Sequence, residues 1–202
     1  MTTSTTHPSQ DWREFDQEPL PPILQGALEA FSEHGFHGAS VRDVANRAGV
    51  TVPLLYYHYG SKEGLYVALV DLSTRETAWR TAAADADGST PTERLANVTE
   101  AIVRHVTQRH LFAAVAGEAR HLSPANRDRF VEPRREIEQI VERILADGVT
   151  SGEFTDLDVD RTARALLGLW RSVMGWYSPA GPDGPAEIAA QYVELSLRMV
   201  RP

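Results

Sequence analysis

The feature that most restricts the fold of this 202-residue chain is a pair of short helices predicted on either side of Gly49. Ser40 can cap the first helix, and Asp43 three residues later gives a Ser-x-x-Asp capping box. Apolar residues recur at helical spacing up to Gly49, where a glycine suits a left-handed C-cap. Thr51 can cap a second helix, with Pro53 in its first turn. Two such helices joined by a turn around a glycine predict a helix-turn-helix.

The second helix of this motif carries more apolar and aromatic side chains than so short a helix can bury. Leu55 and Tyr59 are four residues apart and can pack inward together. Several of the remaining side chains are therefore predicted to stay at the surface, which indicates a partner; the candidates are Val52, Pro53, Leu54, Tyr56, Tyr57 and His58. Because the second helix of a helix-turn-helix enters the major groove, we expect that partner to be DNA.

A third helix is predicted to begin directly after the motif, with Ser61 as its N-cap and Lys62 in its first turn. Lys62 is the only lysine in the chain. A cation here faces the positive end of the helix dipole, whereas free backbone amides and a lysine together suit a phosphate. We therefore expect a DNA phosphate at this position. The alternative is a solvated lysine paired with Glu63.

Six stretches between residues 23 and 70 carry a resemblance to a known family, and they occur in order: Ala30-Phe31, Gly35-Phe36, Ser40 to Ala45, Ala48 to Thr51, Leu55 to Tyr59 and Ser61 to Leu65. Through them the chain resembles the DNA-binding region of the TetR family of transcriptional regulators. It departs from the family at Tyr59, where phenylalanine is usual, and at Val52-Pro53, which replace a Lys-Gly or similar pair. The second departure should alter base preference without abolishing binding.

The resemblance implies roles at DNA for nine residues. Phosphate contacts are expected from Thr51, Tyr56, Tyr57 and Lys62, with support from Ser40 and Arg42, and base contacts from Val52, Pro53 and Leu54. Because the side chains of the last three lack hydrogen-bond donors, they would read mainly thymine methyl groups. The family's usual mode is repression of a double-stranded operator.

Charge contributes little to this prediction. The formal net charge is −8, and residues 23–64 carry Arg42, Arg47 and Lys62 against four acidic side chains. A few phosphate contacts give modest affinity and leave more to dimerisation and base contacts. The chain has no cysteine, so disulfides and thiolate zinc sites are excluded. It has no secretory segment and no apolar run of membrane length, so we expect a cytoplasmic protein.

An enzyme is the first alternative class. The chain lacks Gly-x-Ser-x-Gly, a P-loop, a dinucleotide glycine fingerprint and His-Glu-x-x-His. Its seven histidines are scattered, so we expect neither a metal site nor a cofactor. The second alternative is a helical small-molecule-binding or protein-interaction module that does not bind DNA, which a failure to bind DNA at low salt would favour.

Helical patterns run along the chain without a strand or repeat pattern, so the predicted fold is all-α with about nine helices. Residues 1–19 are predicted to be a mostly disordered tail, because Trp12 and Phe15 are its only large apolar side chains. Residues 20–66 form the predicted helix-turn-helix DNA-binding domain. Residues 67–202 form the predicted helical ligand-binding and dimerisation domain.

Three helices of the second domain carry the prediction of its architecture. One is predicted from Ser123 to about Asp147 with a kink at Pro133. The last two, from Asp158 to about Tyr177 and from Pro185 onward, are the most apolar. We therefore expect them to form a four-helix bundle with a second copy, as the last helices of TetR-family proteins usually do, and the alternative is burial in the core of one chain. A homodimer is expected because two heads can then bind half-sites about 34–36 Å apart.

The second domain also offers candidates for a small apolar ligand. An apolar cavity is predicted from Val98, Ile102, Val106, Phe112, Val115, Phe130, Trp170, Met174 and Tyr177, with His105, Glu118, Arg134 and Arg171 as polar anchors. The alternative is that the apolar members are simply core. Residues 156–160, 176–182, 187–188 and 191–192 are similar to TetR-family repressors of lipid and sterol degradation, which implies an acyl-CoA effector. No arginine cluster in the sequence clearly specifies CoA phosphates.

Overall fold

The computed structural model describes residues 11–15, 19–117 and 122–201, and every regular element in these ranges is a helix. The predicted all-α class is confirmed. The elements are α1 (Pro22–Gly38), α2 (Val41–Ala48), α3 (Val52–Tyr59), α4 (Lys62–Asp87), α5 (Pro91–Gln108), α6 (His110–Gly117), α7 (Pro124–Asp128), α8 (Val131–Ser151), α9 (Val159–Ser172), a 3₁₀ turn (Val173–Gly175) and α10 (Pro185–Val200).

The helix ends follow local sequence signals. Ser40 Oγ accepts a hydrogen bond from the Asp43 amide at 3.0 Å, and Gly49 ends α2 in the left-handed conformation with φ 66°. Asp43 does not complete the predicted capping box, because its carboxylate accepts from Arg47 Nε instead. Thr51 occupies the N-cap position of α3, but its side chain makes no capping hydrogen bond.

Two hydrophobic cores are joined by α4. The first core packs α1, α2, Leu55 of α3 and the first half of α4, and it also takes in Val115, Leu122 and Phe130 from farther along the chain. The second core packs Ala84 near the end of α4 against α5, α8, α9 and α10. We call α1–α3 the head and α5–α10 the body. Since α4 contributes to both cores, it connects them.

The region of α7 and α8 differs from the prediction. The sequence predicted one helix from Ser123 with a kink at Pro133. The structure has two helices instead, because the helical conformation is interrupted between Asp128 and Val131. Pro133 lies in the first turn of α8, where its missing N–H costs no helical hydrogen bond. Likewise, α9 gives way to a 3₁₀ turn at Val173 and does not continue to Tyr177.

Residues 11–15 lie inside the tail that was predicted to be disordered, yet they are packed against α4 and α5. Trp12 is only 4% exposed and joins the core of the body. Arg80 holds the segment by donating to the carbonyl oxygens of Trp12 and Glu14. Burial of one large aromatic side chain and these hydrogen bonds order a segment whose composition suggested otherwise. Residues 1–10 and 16–18 lie outside the described residues.

In the ranges that the structure covers, no helix combines the length and the apolar character needed to cross a bilayer.

Candidate nucleic-acid interface

The packing of α2 against α1 depends on a glycine that the sequence prediction missed. A Cβ at Gly26 would lie 3.0 Å from the Val44 carbonyl oxygen and 3.1 Å from the Ala48 amide nitrogen. Gly26 therefore lets α1 and α2 approach closely, and Val44 and Ala45 are buried between them. A small residue on the apolar face of α1 is the signal that could have identified it.

The junction of α3 and α4 also depends on a glycine. A Cβ at Gly64 would lie 1.9 Å from the Tyr59 carbonyl oxygen, a distance that no side chain can accept. Tyr59 is the last residue of α3, and Gly64 is in the first turn of α4. The missing Cβ thus fixes how closely the second helix of the motif approaches the long connecting helix.

One residue anchors α3 and most of the helix faces outward. Leu55 is completely buried in the head, whereas Leu54 is 41% exposed, Tyr56 is 47% exposed and Tyr57 is 83% exposed. Pro53, Thr51 and His58 are also exposed. The structure therefore presents an apolar and aromatic helix face at the surface, as the sequence predicted.

Val52 is placed differently from its neighbours. Its side chain is half-buried and packs against the core of the head, so less of it is available to a base edge than was expected. Pro53 and Leu54 remain the more accessible of the three predicted base-reading residues.

The polar groups predicted to reach phosphates are unengaged in several cases. Within the described part of the chain, the hydroxyl groups of Thr51, Tyr56 and Tyr57 form no hydrogen bonds, and Arg42 at the start of α2 is exposed without a carboxylate partner. Ser40 is committed to its capping bond. These free donors are what a phosphate backbone requires.

Arg47 does not share this availability. Its Nη2 lies 2.6 Å from a carboxylate oxygen of Glu33, and its Nε lies 3.1 Å from one of Asp43. The hydrogen bonds to Glu33 and Asp43 raise the pKa of Arg47. Because two carboxylates already neutralise it, Arg47 ties α2 to α1.

Lys62 has a structural role that neither sequence interpretation anticipated. Its Nζ donates to the carbonyl oxygens of Ala39 at 3.0 Å and His37 at 3.3 Å, and it lies 4.8 Å from the centre of the Phe36 ring. Lys62 therefore neutralises the carbonyl end of α1 and clamps α1 to α4. An ammonium has three donors, so a phosphate contact requires sharing or the remaining one.

Glu63, the alternative partner for Lys62, bonds elsewhere. Its Oε1 accepts from the Ser123 amide at 2.7 Å and from Asn126 Nδ2 at 2.9 Å. The hydrogen bonds from Asn126 and Ser123 lower the pKa of Glu63. A second polar link joins α4 to the body nearby, since the Tyr66 hydroxyl donates to the Val115 carbonyl oxygen.

The residues predicted to form a ligand cavity are divided between the two cores. Val98, Ile102, Val106, Trp170, Met174 and Tyr177 belong to the core of the body, whereas Phe112, Val115 and Phe130 belong to that of the head. Trp170 is fully buried, and its Nε1 donates to Ser196 Oγ at 2.9 Å. Glu118 lies outside the described residues.

Two cavities lie at the junction of head and body. One, of about 370 Å³, is lined by residues of α3, α4 and α7 that include His58, Asp71 and Asn126. The other, of about 240 Å³, lies between α1, α4 and α6 and is lined partly by Phe31 and Val115. Among the predicted cavity residues that the structure describes, only Val115 lines either of them.

The predicted polar anchors do not lie around one cavity. His105 is buried, with Nε2 3.4 Å from Ser73 Oγ and with Nδ1 lacking a partner in the described ranges. Burial lowers the pKa of His105 to about 4, so the ring is neutral at pH 7. Arg134 and Arg171 approach each other on α8 and α9, and burial followed by repulsion from Arg171 lowers the pKa of Arg134.

Family models match both parts of the chain. The model described as "Bacterial regulatory proteins, tetR family" matches residues 23–69, and that described as "Tetracyclin repressor-like, C-terminal domain" matches residues 88–200. The chain belongs to the TetR family. The predicted family and the predicted class of function, a helix-turn-helix transcriptional regulator, are thereby confirmed.

Individual relatives of this TetR-family chain extend the match over most of its length. The HTH-type transcriptional repressor KstR2 of Mycolicibacterium smegmatis is 31% identical over 194 residues and aligns with 87% of each chain. The ketosteroid transcriptional regulator KstR2 of Mycobacterium tuberculosis has a similar structure, with a TM-score of 0.81 at 26% identity over 89% of this chain and 93% of that one. AibR, crystallised with isovaleryl coenzyme A and operator DNA, shares the fold with a TM-score of 0.78 at 21% identity over 86% and 95%.

Proposed function

We propose that this TetR-family regulator is a homodimeric repressor that inserts α3 into the major groove of a palindromic operator and leaves it when an acyl-CoA binds. The observation that carries the proposal is the exposed face of α3, where Leu54, Tyr56 and Tyr57 surround the single buried anchor Leu55. A surface helix gains nothing from exposing these side chains alone, but a major groove about 12 Å wide accepts a helix.

Contacts with the duplex divide by chemistry. Thr51, Tyr56, Tyr57 and Arg42 carry the free donors that would hold phosphates, and Lys62 would add one donor beside its contacts with α1. Pro53 and Leu54, with the accessible part of Val52, would meet base edges and favour thymine methyl groups. Ser40 supports Arg42 by fixing the start of α2.

Dimerisation would use α9 and α10. Trp176 after α9, and Leu195 and Met199 on α10, are exposed large apolar side chains. A self-complementary face of this kind would bury them against a second copy as a four-helix bundle. Two heads held on one side of the duplex would then read two half-sites one helical turn apart.

An acyl-CoA is the effector that best agrees with the relatives and with the charges. KstR2 is named a ketosteroid transcriptional regulator, and AibR was crystallised with an acyl-CoA. Arg134 lies near the start of α8 and Arg171 near the end of α9, and neither has a carboxylate partner among the residues described. Paired guanidinium groups suit the phosphates of coenzyme A. The acyl group would separate side chains now packed in the cores, and no catalysis or resident cofactor is involved. A regulator acting on chromosomal DNA would work in the cytoplasm.

The test is a fluorescence-anisotropy titration against DNA from upstream of the protein's own gene, at two salt concentrations. Arg42→Ala should weaken binding to every sequence and reduce the salt dependence by about one phosphate contact. Arg75→Ala, which removes an exposed arginine paired with Asp71 on α4, is the matched control and should bind as wild type.

A negative result has a defined reading. If selection from random genomic fragments at low salt also yields no preferred sequence, the DNA-binding proposal is wrong and the alternative of a ligand-binding or interaction module gains support.

A further inference from the structure

The segment of residues 11–15, which we call the N-terminal clasp, is docked on the C-terminal half of α4 and on α5. Trp12 is buried in the core of the body, together with Ala84 of α4 and Leu95 of α5. Its Nε1 also donates to Asp87 Oδ2 at 3.2 Å. The clasp is therefore part of the packed structure although it precedes the DNA-binding motif in the chain.

Arg80 of α4 holds the clasp in place. Its Nη1 donates to the carbonyl oxygens of Trp12 at 2.6 Å and Glu14 at 2.8 Å, and Phe15 lies across the guanidinium with 3.6 Å between the carbon Cζ and the ring centre. Nε and Nη2 of Arg80 donate to Glu76, one helical turn earlier on α4. A buried charge with this many partners fixes the backbone of the clasp.

Arg13 extends the clasp from α4 to α5. Its Nη1 bonds Asp87 at 2.9 Å and its Nη2 bonds Asn97 at 3.2 Å, while Arg104 Nη1 donates to the Arg13 carbonyl oxygen at 3.3 Å. The hydrogen bond from Arg13, followed by that from Trp12, lowers the pKa of Asp87. The clasp therefore bridges two helices and does not rest on a single contact.

The clasp adds an attachment of the head to the rest of the molecule, beside α4 and beside the packing of Val115 and Phe130 in the core of the head. Phe15 is held by Arg80, while Leu20 packs against the core of the head. Only residues 16–19 separate these two anchors, and five fully extended residue steps reach about 18 Å. The head is thus joined to the body through α4, through the residues of α6 and Phe130 that pack in its core, and through the short link from the clasp.

We propose that the N-terminal clasp restricts the orientation of the head relative to the body and so prepositions the two heads of a dimer for the operator. The consequence for DNA rests on the proposed function, whereas the restriction of the head does not. A head that loses this attachment samples more orientations, and that freedom must be given up on binding. Releasing the clasp therefore widens the range of head positions and weakens operator binding.

The test uses two variants and a matched control in the full chain. Trp12→Ala removes the buried anchor, and Asp87→Ala removes the shared acceptor of Trp12 and Arg13 without touching the core. Asp71→Ala is the control, since Asp71 is also an acid on α4 and is paired only with Arg75 at i+4 among the residues described. Circular dichroism checks that each variant is folded, and Asp87→Ala preserves the test if Trp12→Ala does not fold.

The main readout is a distance between head and body. Because the chain has no cysteine, spin labels can be placed at Gln25→Cys on α1 and Gln139→Cys on α8, both of which are exposed, and diluted with unlabelled protein. Double electron–electron resonance should give a broader distance distribution for both clasp variants and an unchanged one for Asp71→Ala. Unchanged distributions in the clasp variants would overturn the proposal.

Operator affinity is the second readout. The clasp variants should bind operator roughly fivefold more weakly than wild type, the size expected for losing modest preorganisation. A broadened distribution with unchanged affinity would refute prepositioning. If wild type itself selects no DNA sequence, the proposed function fails, while the distance measurement still decides whether the clasp restrains the head.

Discussion

At the scale of single residues, two glycines at close backbone contacts matter to the packing of the head as much as its larger side chains do. Gly64 admits the Tyr59 carbonyl oxygen to a place that a Cβ would fill, and Gly26 does the same for α2 against α1. Lys62 and Arg47 then fix the same corner by binding carbonyl and carboxylate oxygens. The presentation of α3 therefore depends on a few positions outside α3 itself.

Gly64→Ala tests this dependence. The added methyl group would sit 1.9 Å from the Tyr59 carbonyl oxygen, so α3 and α4 must separate or the start of α4 must unwind. We expect a loss of roughly 2 kcal/mol in the free energy of unfolding, the usual cost of forced overpacking, together with weaker operator binding. Urea denaturation followed by circular dichroism measures the first effect.

The control for Gly64→Ala is Gly38→Ala, also in the head. Its Cβ would meet only His34 Cβ, at 3.4 Å, an ordinary contact. This variant should change stability by less than about 0.5 kcal/mol. Equal stability of the two variants would show that the close approach at Gly64 is not a constraint.

At the scale of helices, the sequence predicted what is decided locally. The capping bond of Ser40 and the left-handed Gly49 each involve groups within a few residues of each other. The clasp was missed because Arg80 and Trp12 are 68 residues apart. No local pattern encodes such a contact.

The candidate site shows the same division between local and distant determinants. Tyr56 and Tyr57 are among the candidates predicted to stay at the surface because so short a helix cannot bury them all, and the structure agrees. The partners of Lys62 and Glu63 could not be predicted, because they come from α1 and from the start of α7. The contact of Lys62 links α1 to α4 and that of Glu63 links α4 to the start of α7, and sequence patterns do not reveal such contacts.

The packing of α4 against α5 encloses a polar cluster that gives stability a pH dependence. His105 faces Ser73, Glu76, Arg80 and Arg109, and burial lowers its pKa from 6.5 to about 4. Between pH 6.5 and about 4, His105 is therefore protonated in the unfolded chain and neutral in the folded protein. The stabilisation is complete above pH 6.5 and is lost as the pH falls toward 4.

His105→Gln measures this contribution. Between about pH 7 and pH 4.5, wild type should lose up to about 3 kcal/mol more stability than the variant, as a shift of this size implies. Urea midpoints at several pH values provide the comparison, with His58→Gln, at an exposed position, as control. If the slopes of wild type and His105→Gln coincide, His105 is not buried in its neutral form.

At the scale of the whole molecule, the proposed dimer supplies affinity that so little positive charge cannot, because it brings two heads to one operator. The proposed interface predicts that Leu195→Glu, which puts a charge on the exposed apolar face of α10, yields monomers in analytical ultracentrifugation. Operator affinity should fall by at least about tenfold, because each half-site is then bound separately. Leu72→Glu, at an exposed leucine of α4, should remain dimeric. A Leu195→Glu dimer would place the interface elsewhere.

The proposed release of the dimer from its operator by an acyl-CoA has a thermodynamic requirement. An acyl-CoA can move the heads only if it binds one spacing more tightly than the other, and thermodynamic linkage makes the effect reciprocal. The operator-bound dimer should therefore bind an acyl-CoA more weakly than the free dimer, by the same factor by which the acyl-CoA weakens operator binding, typically about 5- to 150-fold. Isothermal titration of short- and long-chain acyl-CoAs into both forms measures the first factor, anisotropy measures the second, and coenzyme A without an acyl group is the control. Equal affinity of both forms for every acyl-CoA that binds would mean that these ligands occupy the body without controlling the heads.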